Sequence, residues 1–323
     1  MKKRAFLAAS LAFLGIALSA PGLVNAQTYP TKPVTLVVPF PAGSTTDNLA
    51  RKLADYMRAK INATVLVDNR VGADGNIAAQ YVLRMPADGY TVFVTGNSVH
   101  GANANLYKEL SFDPIKDFDM VGNIMSIPMV LAVKSDFPAN NIQEFVAEAK
   151  KRQKPMFFAT GNNSTRGASE LFKLRYGLPV EHVPYKGSPQ VVVDLAAGQF
   201  DFAFLDTNTV GPFIKDGRLK GLAITSEKRA PSMPNIPAVG ESVPGFQFVA
   251  WAGVVVREKT PAEVVAKLST IVHDFAVDPA TVAYLASIGS TPMPMNPKQL
   301  KSFVESETKT WAEIVKAANI EKK

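Results

Sequence analysis

The chain has no cysteine and only three histidines among its 323 residues, which limits the chemistry it can perform. Without thiols it has no disulfide and no thiolate metal ligand. The histidines at 100, 182 and 273 show no metal-ligand spacing, and no H-E-x-x-H occurs. The phosphate-binding patterns G-x-x-x-x-G-K-[ST] and G-x-G-x-x-G are missing too. The sequence therefore predicts no metal and no cofactor.

Long apolar runs and basic clusters are also scarce. Beyond the N-terminal stretch no run reaches the ~18 apolar residues of a membrane span. Lys and Arg do not cluster with aromatic residues, so we expect no nucleic-acid partner. The remaining composition, 47% hydrophobic and 20% charged, is typical of a globular protein large enough for two domains.

Residues 1–26 have the pattern of a signal peptide. Three basic residues at 2–4 precede an apolar run at 5–18, and small residues at 24–26 offer a cleavage site near Ala26. Cleavage there would place the mature protein in the periplasm, and an uncleaved N-terminal anchor is the alternative. The segment holds three of the 35 basic residues and none of the 28 acidic ones, so the mature chain carries a net charge of +4.

The stretch from Val34 to Arg51 predicts a binding site for an anion. An apolar β-branched run at 34–38 favours a buried strand, and Leu49, Leu53 and Met57 recur at helical spacing. The intervening turn has two prolines, a glycine and the helix-capping residues at 44–46. Such a turn directs several main-chain N–H groups to one point, where the helix dipole also favours negative charge.

Strands and helices then alternate along the chain, which predicts an α/β fold with two lobes, each a mostly parallel sheet flanked by helices. A second strand, polar turn and helix follow each other at 156–174. The apolar segment 120–133 is predicted to cross into the second lobe, and 248–256 to return. Three amphipathic helices, at 261–276, 279–288 and 297–318, close the sequence.

Several segments resemble one family of receptors. They are Y-P-x-K-P-V-T-L-V-V-P-F-P-A-G (29–43), D-N-R-x-G-A-x-G-N-I-A (68–78), P-A-D-G-Y-T (86–91) and H-V-P-Y-K-G (182–187). In this order they resemble the periplasmic solute receptors of tripartite tricarboxylate transporters, also called Bug receptors. The resemblance covers residues 28–318. It implies a Venus-flytrap protein that binds a small organic anion and delivers it to a membrane permease, and we expect a monomer. Residues 27–124 and 248–323 would form lobe 1, and 125–247 lobe 2.

The resemblance also implies where the ligand lies. One carboxylate would bind the amides of the turn at 41–47, and the loop at 161–165 would hold the rest of the ligand. Arg166-Gly167-Ala168 departs from the usual His-Leu-Ala of the family, and Gly43-Ser44 from its usual Gly-Gly. The full set of predicted ligand-binding residues is Phe40, Pro41, Ala42, Gly43, Ser44, Thr45, Thr46, Asp47, Asn97, Ser98, Gly161, Asn162, Asn163, Ser164, Thr165, Arg166, Tyr185, Lys186 and Asp206.

Three charged residues in this set have two interpretations each. Asp47 cannot attract a carboxylate and is better suited to capping free N–H groups in its own turn. Asp206 follows a strand, so it either meets the ligand or caps the next helix. Arg166 either binds a second ligand carboxylate with its guanidinium or lies on the surface in solvent.

The uncharged residues and Lys186 are equally open. Phe40 either lies against the ligand or packs under the turn, while Tyr185 and Lys186 either line the cleft or serve the core and the surface. The polar loop at 97–103 follows the third strand and is placed on the same rim. His100 in this loop is interpreted as an exposed polar residue.

These features predict a receptor and no enzyme. One alternative is a sensory receptor that presents its ligand to a membrane kinase. Another is a secreted esterase that uses Ser98 and His100, although G-N-S-V-H lacks the second glycine of G-x-S-x-G. A cytoplasmic regulator is excluded if the signal peptide is cleaved, and the chain lacks an N-terminal DNA-reading helix pair.

Overall fold

The structure is a computed structural model that describes residues 29–323, so the predicted signal peptide lies outside the described residues. Ten strands occur in this range: β1 (Val34–Val38), β2 (Val65–Asn69), β3 (Thr91–Gly96), β4 (Phe118–Lys134), β5 (Met156–Thr160), β6 (Val180–Pro184), β7 (Phe202–Asp206), β8 (Leu219–Ile224), β9 (Val249–Arg257) and β10 (Thr291–Met295).

Eleven α-helices occur in the same range: α1 (Thr45–Ile61), α2 (Asn76–Arg84), α3 (Asn103–Leu106), α4 (Ile142–Lys151), α5 (Asn163–Tyr176), α6 (Ser188–Ala196), α7 (Thr207–Lys215), α8 (Val239–Ser242), α9 (Ala262–Val277), α10 (Pro279–Ser287) and α11 (Pro297–Ala317). None of the helices between residues 29 and 323 combines the length and the apolar character of a bilayer span.

The strands form two sheets that share β4. In the first lobe the order is β2-β1-β3-β9-β4-β10, with β1, β2 and β3 parallel. In the second lobe β4 lies between β8 and β7, and β7, β5 and β6 are parallel. Strand β4 pairs with β9 up to Pro128 and with β7 from Met129 onward. The predicted two-lobed α/β architecture is confirmed, and one continuous strand forms the predicted crossing. Both sheets are mixed, because β9, β4, β10 and β8 pair antiparallel beside the parallel strands.

The helices pack where their apolar faces predict. Leu49, Leu53 and Met57 of α1 are buried against the first sheet. On α11 the buried residues are Leu300, Val304, Trp311 and Ile314, which recur at helical spacing along one face. The three predicted C-terminal helices are present, and the predicted apolar faces are confirmed for α9 and α11, whereas α10 buries only Thr281 and Leu285.

Two elements differ from the sequence predictions. Strand β10 was not predicted, because Pro292 and Pro294 interrupt it; it pairs only with β4, and an edge strand tolerates proline. The predicted loop after β3 is instead a π-helical turn, Ser98–Ala102, that runs into α3. Its five residues are all buried, so the interpretation of His100 as an exposed loop residue is wrong.

Candidate functional site

A cavity lies between the two lobes, and the space free of protein atoms within it and at its solvent-facing mouth amounts to about 570 Å³. Residues from turns of both lobes and from strands β4 and β9 surround it. They are Phe40, Pro41, Ser44, Thr45, Thr46, Gly96, Asn97, Ser98, Ile127, Met129, Gly161, Asn162, Ser164, Thr165, Gly187, Ser188, Asp206, Ala250 and Trp251.

Four helices begin at this cavity. Helix α1 enters from the first lobe, and α5, α6 and α7 from the second, each directly after a parallel strand or the short turn that follows it. The arrangement follows from topology, because the loops after the carboxyl ends of parallel strands share one edge of a sheet. Each helix N-terminus presents unpaired amides and the positive end of its dipole, so the four together favour an anion.

The turn before α1 has the geometry that the sequence predicts. Gly43 adopts a φ of +80°, and Ser44 caps the helix by accepting from the Asp47 amide. The main-chain N–H groups of Thr45 and Thr46 have no acceptor among residues 29–323. Both residues line the cavity, so their amides are available to a ligand.

Asp47 supports this turn from behind the cavity lining. Its carboxylate accepts from the Gly43 amide at 2.9 Å, from Arg51 at 3.0 Å and from Asn69 at 2.9 Å. Burial raises the pKa of Asp47, but the hydrogen bonds from Arg51, Gly43 and Asn69 outweigh it and hold the pKa below its ordinary value. The carboxylate therefore braces the turn and does not line the cavity, which agrees with the capping interpretation.

The second lobe presents a matching turn before α5. Asn162 and Thr165 form a capping box, in which the Asn162 side chain accepts from the Thr165 amide at 2.9 Å. The Gly161 amide donates to the Thr165 hydroxyl at 3.2 Å. Gly161 also lies directly against the turn before α6, because a Cβ added at 161 would be 2.2 Å from the Ser188 nitrogen. Two main-chain turns thus pack together at the floor of the cavity.

Hydrogen bonds cross from one lobe to the other at the rim of the cavity. The hydroxyl of Thr45 donates a hydrogen bond to the carboxylate of Asp206 and accepts one from the side-chain nitrogen of Asn208 at 3.2 Å. Farther along, Ser164 donates to Asn97 at 3.2 Å. The lobes are therefore in contact on both sides of the cavity, and the conformation is closed.

Among the described residues, the cavity lining contains no lysine or arginine. Its one ionisable side chain, Asp206, also caps α7 by accepting from the Thr209 amide at 2.9 Å. Arg166 is not in the lining: its Nε lies 3.7 Å from Glu170, and its side chain is 16% exposed. Arg166 is thus neither a surface residue in open solvent nor placed to hold a ligand carboxylate in this cavity.

Of the other predicted residues, some lie outside the cavity lining and the rest belong to it. Ala42 and Gly43 are exposed, Lys186 faces solvent, and Tyr185 donates to Asp194 at 2.9 Å, away from the cavity. Asn163 bonds across the lobes to Asn103 at 2.6 Å. The structure brings together at the lining Phe40, Pro41, Ser44, Thr45, Thr46, Asn97, Ser98, Gly161, Asn162, Ser164, Thr165 and Asp206.

Sequence reasoning missed seven lining residues. Gly187 and Ser188 form the start of α6, and the signal was present, because a glycine precedes Ser-Pro at a helix beginning. Gly96 ends β3, next to the predicted loop. The apolar members come from β4, which both sheets share, and from β9 of the first sheet: Ile127 and Met129 in β4, and Ala250 and Trp251 in β9. Nothing in an apolar strand distinguishes a residue under the cavity from one in the core.

Ser98 and His100 do not form a catalytic pair. The Nδ1 of His100 lies 2.9 Å from the Thr95 hydroxyl, and Ser98 Oγ is buried without a partner among the described residues. Burial lowers the pKa of His100 to about 3, so the ring is neutral at ordinary pH. Among residues 29–323 no group of three His, Asp or Glu side chains is arranged to hold a metal ion.

Comparisons with known proteins place this geometry in one family. The profile of the tripartite tricarboxylate transporter family receptor matches residues 49–320. Protein BugT of Bordetella pertussis is 30% identical over 313 residues, covering 95% of this chain and 96% of that protein. Among solved structures, R. palustris Rpa4515 with adipate shares 34% identity at a TM-score of 0.88, over 91% of this chain and 100% of that chain.

A second solved structure, MatC (Rpa3494) from Rhodopseudomonas palustris with bound malate, is 28% identical at a TM-score of 0.82. The alignment covers 89% of this chain and 100% of that one. The resemblance read from the sequence motifs is thereby confirmed, and the chain belongs to the tripartite tricarboxylate transporter receptor family.

Proposed function

We propose that the chain is a periplasmic receptor that captures a small organic carboxylate between its lobes and delivers it to the membrane permease of a tripartite transporter. Family membership supports this, as do relatives solved with adipate and malate. The observation that carries the proposal is the convergence of four helix N-termini on a cavity without lysine or arginine. Such a site attracts an anion through amides and helix dipoles alone.

The mechanism follows from the closed conformation. A ligand carboxylate accepts from the amides of Thr45 and Thr46, and the unpartnered hydroxyl of Ser98 supplies a further donor. Met129 and Trp251 contact the carbon body. Because helix N-termini of both lobes line the cavity, the ligand contacts all of them only when the lobes meet, and it therefore stabilises the closed state over the open one. The permease then recognises the closed form.

A thermal-unfolding screen of the mature protein against carboxylic acids tests ligand capture. Adipate, malate and a panel of di- and tricarboxylates are compared with their neutral amides. An acid at 100 times its dissociation constant stabilises the fold by ~2.7 kcal/mol, and the matched amide should give no shift. No stabilisation by any acid, or equal stabilisation by an amide, would contradict the proposal. Uptake of the acid in a deletion strain tests delivery to a permease and separates it from sensing.

A proline at position 45 tests the role of main-chain amides directly. Thr45 is the first residue of α1, where proline is tolerated, and Ser44 has an extended ψ of 158° that suits a following proline. Thr45→Pro removes the N–H, whereas Thr45→Val keeps it and removes the same hydroxyl. We expect Thr45→Pro to bind the acid about tenfold or more weakly than Thr45→Val, since a hydrogen bond to a charged group contributes about 1.5–3 kcal/mol. Equal affinities by calorimetry would contradict an amide-based site.

The same site should bind the ionised acid and reject the neutral one. Lowering the pH below the pKa of the ligand, ~4 for an ordinary carboxylate, protonates the group that the amides contact. The dissociation constant should therefore rise as pH falls through that value, which calorimetry at graded pH measures. Equal affinity for the neutral acid and the anion would count against the mechanism.

A further inference from the structure

One side-chain amide joins the C-terminal helix to the opposite lobe. Asn97 follows β3, lines the cavity and is 1% exposed. Its Nδ2 donates to Glu307 at 2.5 Å, and its Oδ1 accepts from Trp311 Nε1 at 3.0 Å and from Ser164 Oγ at 3.2 Å. Glu307 and Trp311 lie one turn apart on α11, while Ser164 belongs to the first turn of α5 in the second lobe.

The chemistry of the two α11 partners fixes the orientation of this amide. An indole N–H only donates, so it requires the oxygen of Asn97. Burial raises the pKa of Glu307, and the hydrogen bond from Asn97 opposes that rise; a carboxylate oxygen of Glu307 accepts from the nitrogen of Asn97. Rotating the amide by half a turn would break both contacts at once. With Glu307 and Trp311 in place, the amide oxygen is therefore held toward the second lobe, where Ser164 donates to it.

A neighbouring pair repeats this logic. The Nδ2 of Asn103 donates to the Asp74 carbonyl at 3.1 Å and to Asn76 at 2.6 Å, both in the first lobe. This leaves the oxygen of Asn103 to accept from Asn163 of the second lobe at 2.6 Å. In both pairs the side-chain nitrogen of the first-lobe asparagine donates within the first lobe, and its oxygen accepts a hydrogen bond from a side chain of the second lobe.

The indole of Trp311 also reaches the second lobe itself. The side chain is fully buried, and its ring packs edge-on against Phe248. Gly167 of α5 faces the same ring, since a Cβ added there would lie 2.6 Å from Trp311 Cη2. The Trp311 indole, whose N–H orients Asn97, is thus held in place by packing where α11 and α5 meet.

We propose that Glu307 and Trp311 are positioning residues for ligand capture. They hold the amide of Asn97 so that its oxygen bonds to Ser164, and this bond favours the closed form. The proposal rests on the proposed function only in taking the closed form as the ligand-holding one. The equilibrium between open and closed forms can be measured without any acid.

Interlobe distances from pulsed electron paramagnetic resonance test this role. The chain has no cysteine, so spin labels at Lys60→Cys in the first lobe and Lys151→Cys in the second attach to two exposed sites only. The ratio of closed to open distances is recorded without acid and with adipate or malate. Glu307→Ala and Ser164→Ala should each lower it about fivefold, the ordinary effect of one hydrogen bond. Glu313→Ala, an exposed glutamate on the same helix, should leave it unchanged.

Two further variants separate positioning from general packing. Glu307→Gln keeps an oxygen that accepts from Asn97, so it should restore most of the ratio that Glu307→Ala loses. Trp311→Phe removes the donor, and it should lower the ratio less in a Ser164→Ala background than in the wild type, because both act on one amide.

Several results would overturn the proposal. They are unchanged ratios in Glu307→Ala and Ser164→Ala, equal losses in Glu307→Gln and Glu307→Ala, additive effects of Trp311→Phe and Ser164→Ala, or a wild-type chain without a closed population under all conditions. A failure of every acid to bind would contradict the proposed function instead. Because the ratio is also measured without acid, the positioning role would survive that failure.

Discussion

Two histidines, the buried His100 and the partly buried His182, make the stability of the fold depend on pH. Burial lowers the pKa of His100 to about 3, and burial together with the charge of Arg166 lowers that of His182 to about 4. In the folded chain both rings stay neutral above these values, whereas in the unfolded chain each ring has its ordinary pKa of about 6.5. The unfolded state therefore binds more protons below pH 6.5. The contribution of the two neutral rings to the free energy of unfolding is complete above pH 6.5. It is lost as the pH falls toward 4 for His182 and toward 3 for His100.

Substitution of His100 should flatten this dependence. In the wild type, His100 contributes a fall of about 1.4 kcal/mol in the free energy of unfolding for each pH unit below 6.5. His100→Gln should remove that part of the slope, measured by urea unfolding at pH 7, 6 and 5. His273, whose side chain is 58% exposed, supplies the control variant His273→Gln, which should retain the full slope. An unchanged slope in His100→Gln would show that the ring does not stay neutral when folded.

Asp47 should prove a structural residue of the binding turn. Asp47→Ala leaves the Gly43 amide, Arg51 and Asn69 without their shared acceptor, at a cost of about 1–3 kcal/mol in the free energy of unfolding. Asp55 on the same helix is exposed and pairs only with Arg58, so Asp55→Ala should change stability by less than about 0.5 kcal/mol. Urea unfolding of both variants makes the comparison, and similar losses would contradict the bracing role.

Single residues could be assigned from the sequence where their role is local. The capping role of Asp47 depends on contacts within its own turn and on Asn69, and helix-capping rules predict it. The place of Arg166 depends on which way α5 faces, and a guanidinium one turn from the helix start can bond to Glu170 as readily as to a ligand. The burial of His100 depends on a π-helical turn that no local pattern signals.

Among the structural elements of the site, the turns before α5 and α6 make a very close main-chain contact. A Cβ at 161 would lie 2.2 Å from Ser188 N and 2.4 Å from Gly187 C, both main-chain atoms that cannot move aside cheaply. Gly161→Ala should therefore separate the two turns, lower the free energy of unfolding and weaken acid binding at least tenfold. In Gly240→Ala the nearest atom would be 3.4 Å away. That control should keep both properties, and equal behaviour of the two variants would refute the contact.

The sequence predicts elements well where periodicity and capping agree. The run at 34–38, the cap at Ser44 and the apolar spacing of Leu49, Leu53 and Met57 all indicate β1 and α1, and the structure contains both. Strand β10 escapes prediction because it depends on a distant partner, β4, and its two prolines argue against a strand. Elements held by tertiary pairing lie beyond local rules.

At the scale of the molecule, β4 belongs to both lobes, and this sets how the chain divides. The boundaries at 124/125 and 247/248 stay a prediction, which two fragments test. Strand β7 pairs with β4 from Met129 onward and β8 pairs with it from Val130 onward, so a fragment 135–247 lacks the strand that joins them. We expect fragment 125–247 to unfold cooperatively in urea and 135–247 to show no cooperative transition by circular dichroism. Cooperative unfolding of the shorter fragment would show that β4 is dispensable to the second lobe.

The two-lobed plan was predictable because strand and helix alternate, break at an apolar crossing and resume. The position of α6 at the cavity could not be predicted from the sequence. It depends on the order of strands in the second sheet and on how far the lobes have closed. Contacts such as Thr45 with Asp206 join residues more than 150 positions apart, and no spacing in the sequence indicates them.

The proposed binding of acids through peptide groups has a consequence for how receptors with such a site diversify. Every residue except proline carries the same N–H, so substitutions around the cavity can reshape its walls while the means of holding an acid persists. A lineage built this way can change which metabolite it imports through a few wall mutations, without first losing the capacity to retain acids.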